Sequence, residues 1–214
     1  GAATLPTRAR VANDRRAPDE RLPVSWLTSV PNLADKRGVP ALIAKMRALD
    51  ARMRREYGVR LGAIICDTLA AAFDLKDEND NSEAASACRI MRQISTETGA
   101  VFIPVHHYGK GMETGLRGAS AWRANCDAVI SVLCDRNQIT GKSSNRRIAL
   151  TKSRTSEEGP IGGFELRFVK LGVDEGGEDF GACVVETSDA AEIKSAKARL
   201  SRAARAYMDA LQIV

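Results

Sequence analysis

Leu61-Gly62-Ala63-Ile64-Ile65-Cys66-Asp67-Thr68 is a short apolar run that stops at a carboxylate and a hydroxyl. Tyr57-Gly58 bounds it on one side and polar residues on the other. Such a run reads as a strand buried on both faces, as strands of a parallel sheet are. An acid at the carboxyl end of such a strand stands where open α/β sheets bind their ligands. Asp67 with Thr68 is therefore a candidate Mg²⁺-nucleotide site, in the manner of a Walker B strand. The same residues admit a plainer reading, a strand that ends at a helix-capping aspartate.

Outward from this run, a helix precedes it. It starts at Pro40 and carries Leu42, Ile43, Met46, Leu49 and Met53 on one face. Val24 to Thr28 alternates like a strand, and residues 1–21 read as an Arg-rich, partly ordered lead-in. After Asp67 comes an acidic loop from Phe73 to Asn81. Asn81 or Ser82 caps a helix that runs to about Thr98 and stops at Gly99. Ala100 to Val105 is a second apolar strand, ending in His106-His107, the two histidines of the chain. Parallel strands share a direction, so Asp67-Thr68 and His106-His107 are expected at one edge of one sheet. An acid that orients Mg²⁺ and an imidazole that donates to a phosphate oxygen suit phosphoryl transfer. The plainer reading makes His106 a satisfied core residue and His107 its solvent-facing neighbour.

Tyr108 to Gly118 is a glycine-rich loop carrying Lys110 and Arg117. It reads either as a segment that follows a nucleic-acid backbone or as an ordinary surface loop. A short helix over Ser120 to Asn125 follows, and then the pattern changes. Asp127–Cys134, Arg147–Ser153, Phe164–Lys170 and Gly181–Glu186 are short strands with turns at Gly141 and Gly176-Gly177. The fold class is thus α/β, a parallel sheet extended along one edge by antiparallel strands over residues 1–187. Residues 188–214 form a basic, Ala-rich helix, suited to a tail or a subunit contact. Lys152 and Arg154 alternate onto one face at a strand end, where two cations can reach a phosphate cluster or simply guard a sheet edge. Gly141-Lys142-Ser143 imitates the end of a phosphate-binding loop, but residue 136 is Arg136 and a strand follows instead of a helix. No Gly-x-x-x-x-Gly-Lys-Ser/Thr occurs in the sequence.

Composition narrows the partners without fixing them. The 214 residues are 44% hydrophobic and carry a net charge of +5, which permits nucleic acid without requiring it. No apolar run reaches the roughly 20 residues of a membrane helix, and the start does not read as a signal peptide. The five cysteines, Cys66, Cys88, Cys126, Cys134 and Cys183, match no zinc spacing and suit reduced thiols in a cytoplasmic protein.

Ile64-Ile65-Cys66-Asp67-Thr68-Leu69-Ala70, Asp77-Glu78-Asn79, Thr98-Gly99-Ala100, Val105-His106-His107-x-Gly109-Lys110, Arg117-Gly118-Ala119-Ser120-Ala121 and Thr151-Lys152-Ser153-Arg154 follow in this order. The set resembles the RecA-like AAA ATPases of the plasmid replicative helicase RepA type, from about Val24 to Glu186. The resemblance implies a RecA-like P-loop NTPase core and a hexamer that hydrolyses ATP with Mg²⁺ between subunits while moving along single-stranded DNA. It implies that Asp67 is the Walker B acid acting on Mg²⁺ through water, with Thr68 and His107 beside the nucleotide. It implies that His106 senses the γ-phosphate and that Lys152 and Arg154 reach into the next subunit's site. Lys110 and Arg117 then contact DNA. The family's P-loop and catalytic glutamate lie upstream of the Walker B strand, and Gly1-Ala2-Ala3 with Arg8 resembles the segment just after that glutamate. The sequence is thus expected to start within the domain, lacking its Walker A region, and not to hydrolyse ATP alone. An alternative is a module of the same fold that binds DNA or a partner ATPase without hydrolysis.

Overall fold

A computed structural model describes residues 4–107, 120–173 and 176–188. Helices α1 (Thr4–Asp14), α2 (Gly38–Tyr57), α3 (Leu69–Phe73), α4 (Asn81–Thr98) and α5 (Ser120–Asn125) occur with strands β1 (Ala63–Cys66), β2 (Val101–Pro104), β3 (Ala128–Arg136), β4 (Ser143–Ser153), β5 (Gly159–Val173) and β6 (Asp179–Ser188). These fall into two units, residues 27–126 and the remainder.

The first unit is a two-stranded parallel sheet with helices. Ala63 pairs with Val101 and Cys66 with Pro104. Helix α2 starts at Gly38, two residues before the expected Pro40, and turns Leu42, Ile43, Met46 and Met53 inward as their spacing predicts; Val39 joins them, and Leu49 is only partly buried. Gly58 ends it at φ 69°, its N–H donating to the Arg54 carbonyl, a left-handed stop that costs glycine nothing. Asp50 ties the following turn: one carboxylate oxygen accepts the Leu61 N–H at 2.8 Å and the other Arg54 Nε at 2.8 Å. Both contacts hold the Asp50 carboxyl below the usual range, the Arg54 hydrogen bond contributing most. Helix α4 buries Ala84, Ala87, Cys88, Met91 and Ile94 against the same core and ends at Gly99, φ 70°.

Its start differs from expectation. Asp80 is the cap in place of Asn81 or Ser82, its carboxylate accepting the N–H groups of Ser82 at 2.6 Å and Glu83 at 3.1 Å. An aspartate one position earlier supplies a full charge at the positive helix end, which a hydroxyl does not. The acidic loop is also shorter than expected, because Leu69, Ala72 and Phe73 are buried and wind into α3. The strand expected over Val24 to Thr28 does not form. Pro23 and Pro31 flank it without donors, and residues 21–37 carry no helix or strand.

The second unit is a four-stranded antiparallel sheet in the order β3-β4-β5-β6. Its strands follow the expected ones and are longer, since each hairpin continues past the apolar stretch into exposed polar pairs. Asn137 shapes the first turn, accepting from the N–H groups of Ile139 and Thr140 at 2.9 Å each, with Gly141 at φ 70°. Strand β4 starts at Ser143, so the Gly-Lys-Ser sequence is a hairpin turn. Residues 4–14 are helical rather than a loose lead-in. Val11 and Ala12 of α1 pack on Ala182, Val184, Val169 and Leu171 of the sheet, and that burial stabilises a short helix that is polar on average. Arg15, just past α1, pairs with Glu186, which Arg167 also approaches at 3.3 Å.

One continuous extended sheet was the expectation; two sheets are present, and among the described residues β1 and β2 pair only with each other. Sequence-adjacent hairpins close with short loops and little entropy, so β3 takes β4 as partner and needs no edge of the parallel pair. Ser188 ends β6, and the rest of the helix expected over 188–214 lies outside the described residues. No helix among the described residues is long and apolar enough to cross a membrane.

Candidate functional site

The parallel pair brings two of the sequence-derived residues to one rim. Asp67 directly follows Cys66 at the end of β1, and His106 stands two residues past Pro104 at the end of its in-register partner. The ladder runs past the formal strand ends. Val105 N–H donates to the Cys66 carbonyl at 2.8 Å, and Leu69 N–H donates to the Val105 carbonyl at 3.0 Å. These two bonds fix Asp67 and Thr68 against the backbone that leads into His106. The peptide between Asp67 and Thr68 is cis. Asp67 and His107 are exposed, while Thr68 and His106 are partly buried.

Behind the rim a buried indole braces His106. The two ring centroids lie 5.7 Å apart with planes tilted by 46°, within the range of favourable aromatic contacts. Trp122 is 3% exposed and its Nε1–H donates to the Glu78 carbonyl at 3.2 Å. Helix α5, which carries it, is held to the start of α4 through Asn81, whose Oδ1 accepts the Ala121 N–H at 3.1 Å and the Ser120 hydroxyl at 3.3 Å. Trp122, Glu78 and Asn81 thus support the rim, a role the sequence reading did not give them. The available signal was an isolated tryptophan in a chain with 5% aromatics, since a buried indole needs an acceptor for its N–H.

Cys66 lies under the acid. Burial first, and then the Asp67 charge, push its thiol up from the ordinary value. A thiol raised in this way is protonated at neutral pH, in keeping with a packing role for Cys66. The Asp67 carboxylate and the Thr68 hydroxyl offer oxygen donors to the solvent side, the donor type that Mg²⁺ prefers while keeping several waters. No cluster of three or more His, Cys, Asp or Glu side chains able to hold a metal occurs among the described residues.

Lys152 and Arg154 belong to the antiparallel unit. Lys152 sits in β4 opposite Val129. Arg154 follows β4; its N–H donates to the Asp127 carbonyl at 3.0 Å and its guanidinium meets the Asp127 carboxylate at 3.3 Å. Both side chains of that ion pair are at least half exposed, so it is worth ~0–1 kcal/mol and is readily exchanged for another anion. Lys110 and Arg117 lie outside the described residues.

A family model described as an AAA domain matches residues 1–113, more than half of the chain. The chain belongs to that family, which makes it an ATPase-related α/β domain. The match contains both strand ends, Asp67 and His106, and stops before β3, Lys152 and Arg154. Among curated proteins no match is found.

Proposed function

We propose that this chain is the C-terminal portion of a RecA-like ATPase of the RepA type, a cytoplasmic hexameric helicase that hydrolyses ATP between subunits and moves on single-stranded DNA in replication. The observation that supports this reading best is the sharing of one rim by Asp67 and His106. In it, Asp67 holds the water shell of Mg²⁺, and Thr68 and His107 lie beside the nucleotide. Mg²⁺, when bound, neutralises charge on the phosphate oxygens. His106, its ring set by Trp122, donates a hydrogen bond to the terminal phosphate and reports its loss. Arg154, released from Asp127, and Lys152 stabilise charge on a neighbouring subunit's nucleotide, as trans-acting cations do in phosphoryl transfer. Lys110 and Arg117 contact the DNA backbone.

DNA-stimulated ATP hydrolysis by the protein of the complete reading frame tests this. Asp67→Asn is expected to lower turnover at least 100-fold and leave assembly intact. Arg154→Ala is expected to spare nucleotide binding and lose turnover. Wild-type turnover in either variant removes the role assigned to that residue. A second reading needs no turnover by this chain. In it the chain is a non-hydrolysing module that binds DNA or a partner ATPase. Salt-dependent DNA binding without turnover in the complete protein favours that reading.

A further inference from the structure

We propose that a groove beside helix α1 binds a nucleotide unit, with the base on the indole of Trp26 and the phosphate on the guanidinium groups of Arg10 and Arg21. The inference is independent of the Asp67–His106 rim, because every residue that lines the groove lies in the unit that holds the antiparallel sheet. Helix α1 has two working faces. Val11 and Ala12 pack on the sheet. Pro6, Ala9, Arg10 and Asn13 fall on the other face at helical spacing and line the groove. After α1 the chain reverses through a short 3₁₀ turn over Pro18–Glu20 and comes back beside the helix. Asn13 clasps the returning segment: its Oδ1 accepts the Leu22 N–H at 3.2 Å and its Nδ2 donates to the Leu22 carbonyl at 2.8 Å. This clasp satisfies both backbone groups of Leu22 and sets Arg21, Val24 and Trp26 as the opposite wall. Pro6 and Ala9 are too short to fill the space between, which leaves a groove of about 300 Å³, at the lower end of small-molecule sites.

The lining combines the two chemistries that a nucleotide carries. Trp26 is 40% exposed, so its indole is open to a ligand, and any nucleobase can stack on an aromatic ring. Arg10 and Arg21 are exposed, and neither forms a hydrogen bond or ion pair among the described residues. Arg15, farther along, is by contrast engaged with Glu186. A guanidinium presents paired donors that match phosphate oxygens. Two unengaged guanidiniums and an indole around one hollow favour a ligand with both an anionic and a flat aromatic part over a plain anion or a plain apolar group. Asp14 lines the same groove. Its carboxylate can accept from a ribose hydroxyl or an exocyclic amine and repels further negative charge. The groove therefore suits a monophosphate unit, of a free nucleotide or of a single strand, better than a triphosphate.

Titration of the full chain tests this, with EDTA present so that no Mg²⁺ reaches the rim. AMP or an octamer of deoxyadenosine at millimolar concentration is expected to shift the Trp26 indole N–H and the Ala9 and Arg10 amides, and to leave the Trp122 indole and His106 in place. AMP is expected to bind at least tenfold tighter than ribose 5-phosphate, which lacks the base, and tighter than ATP. Arg10→Gln/Arg21→Gln is expected to weaken AMP at least tenfold. Trp26→Leu, followed through the α1 amides, is expected to bring AMP down to the level of ribose 5-phosphate. The two variants change exposed side chains on separate tests of the site, so a fold lost in one leaves the other to decide. An octamer at least tenfold tighter than AMP supports the proposal with a single strand as the source; equal affinities support it with a free nucleotide. A Trp26 signal unmoved by both probes, shifts confined to His106, or an AMP affinity unchanged in the double arginine variant overturns the proposal. Ribose 5-phosphate equal to AMP overturns it in favour of a plain anion site, and a poly-glutamate peptide as tight as the octamer overturns it in favour of an acidic-peptide surface.

Discussion

Trp122→Phe isolates the brace behind the candidate site. The benzene ring keeps an aromatic surface near His106 but removes the Nε1–H that satisfies the Glu78 carbonyl at 3.2 Å. A buried acceptor left without its donor costs ~1–3 kcal/mol, and the smaller ring leaves part of the volume of a residue that is 3% exposed. The sum is a loss of about 2–3 kcal/mol for the unit that contains residues 27–126. With two histidines in the chain, the imidazole region of a proton–carbon spectrum holds two sets of signals, and one of them reports from the rim itself. A urea titration followed through the His106 signals reads the stability. The same spectra read the ring geometry: the indole-to-phenyl change is expected to move the His106 shifts and leave those of the exposed His107 in place. A stability change under about 0.5 kcal/mol together with unmoved His106 signals refutes the bracing argument.

Other expectations follow from single contacts. Asp80→Ala removes the acceptor for the Ser82 and Glu83 N–H groups and is expected to cost ~1 kcal/mol, most of it restored in Asp80→Asn; hydrogen exchange at the first turn of α4 reads it. Gly99→Ala forces a side chain into φ 70° and toward the Arg60 guanidinium and is expected to cost ~1 kcal/mol in a urea midpoint. Glu186 is held below its ordinary value first by its Arg15 hydrogen bond, which outweighs the opposing desolvation, and then by the charges of Arg167 and Arg15. A carboxyl lowered in the folded state stabilises above its ordinary value near 4.5, and that contribution disappears as pH falls through the lowered folded value. Exchange protection of α1 amides is therefore expected to fall with acid in that window, and Arg15→Gln is expected to weaken the pH dependence, with Arg167 keeping a remainder; an identical acid profile in that variant contradicts the linkage.

Much of this architecture is legible in the sequence because local chemistry decides it. Gly99 stops a helix whose apolar spacing is unambiguous, and Asn137 with Gly141 spells a turn that no phosphate-binding loop matches. The strand ends next to Asp67 and His106 were legible because an abrupt change from apolar to polar residues marks where a strand stops, but the burial on both faces expected of β1 is not met, since Ile65 is 48% exposed. What escaped the sequence depends on distant partners. Helix α1 is polar on average and short of apolar residues, and its Val11 packs on Ala182 and Val184, far along the chain. Val24 to Thr28 alternates well yet finds no strand to pair with, since alternation proposes a strand but only a partner edge makes one. The division into two sheets was hidden for the same reason, because pattern shows where strands are and not which of them meet. Trp122 was missed at the site because its significance lies in the acceptor it reaches, a backbone carbonyl 44 residues upstream.

Relaxation by Mn²⁺ in place of Mg²⁺ tests the nucleotide-facing rim most directly, because it detects weak occupancy by distance. With Mn²⁺ and ATP added at millimolar concentration, the signals of Thr68 and His106 are expected to broaden selectively, and Asp67→Asn is expected to abolish the effect. Broadening that leaves both residues untouched, or that persists unchanged without the Asp67 carboxylate, contradicts the account.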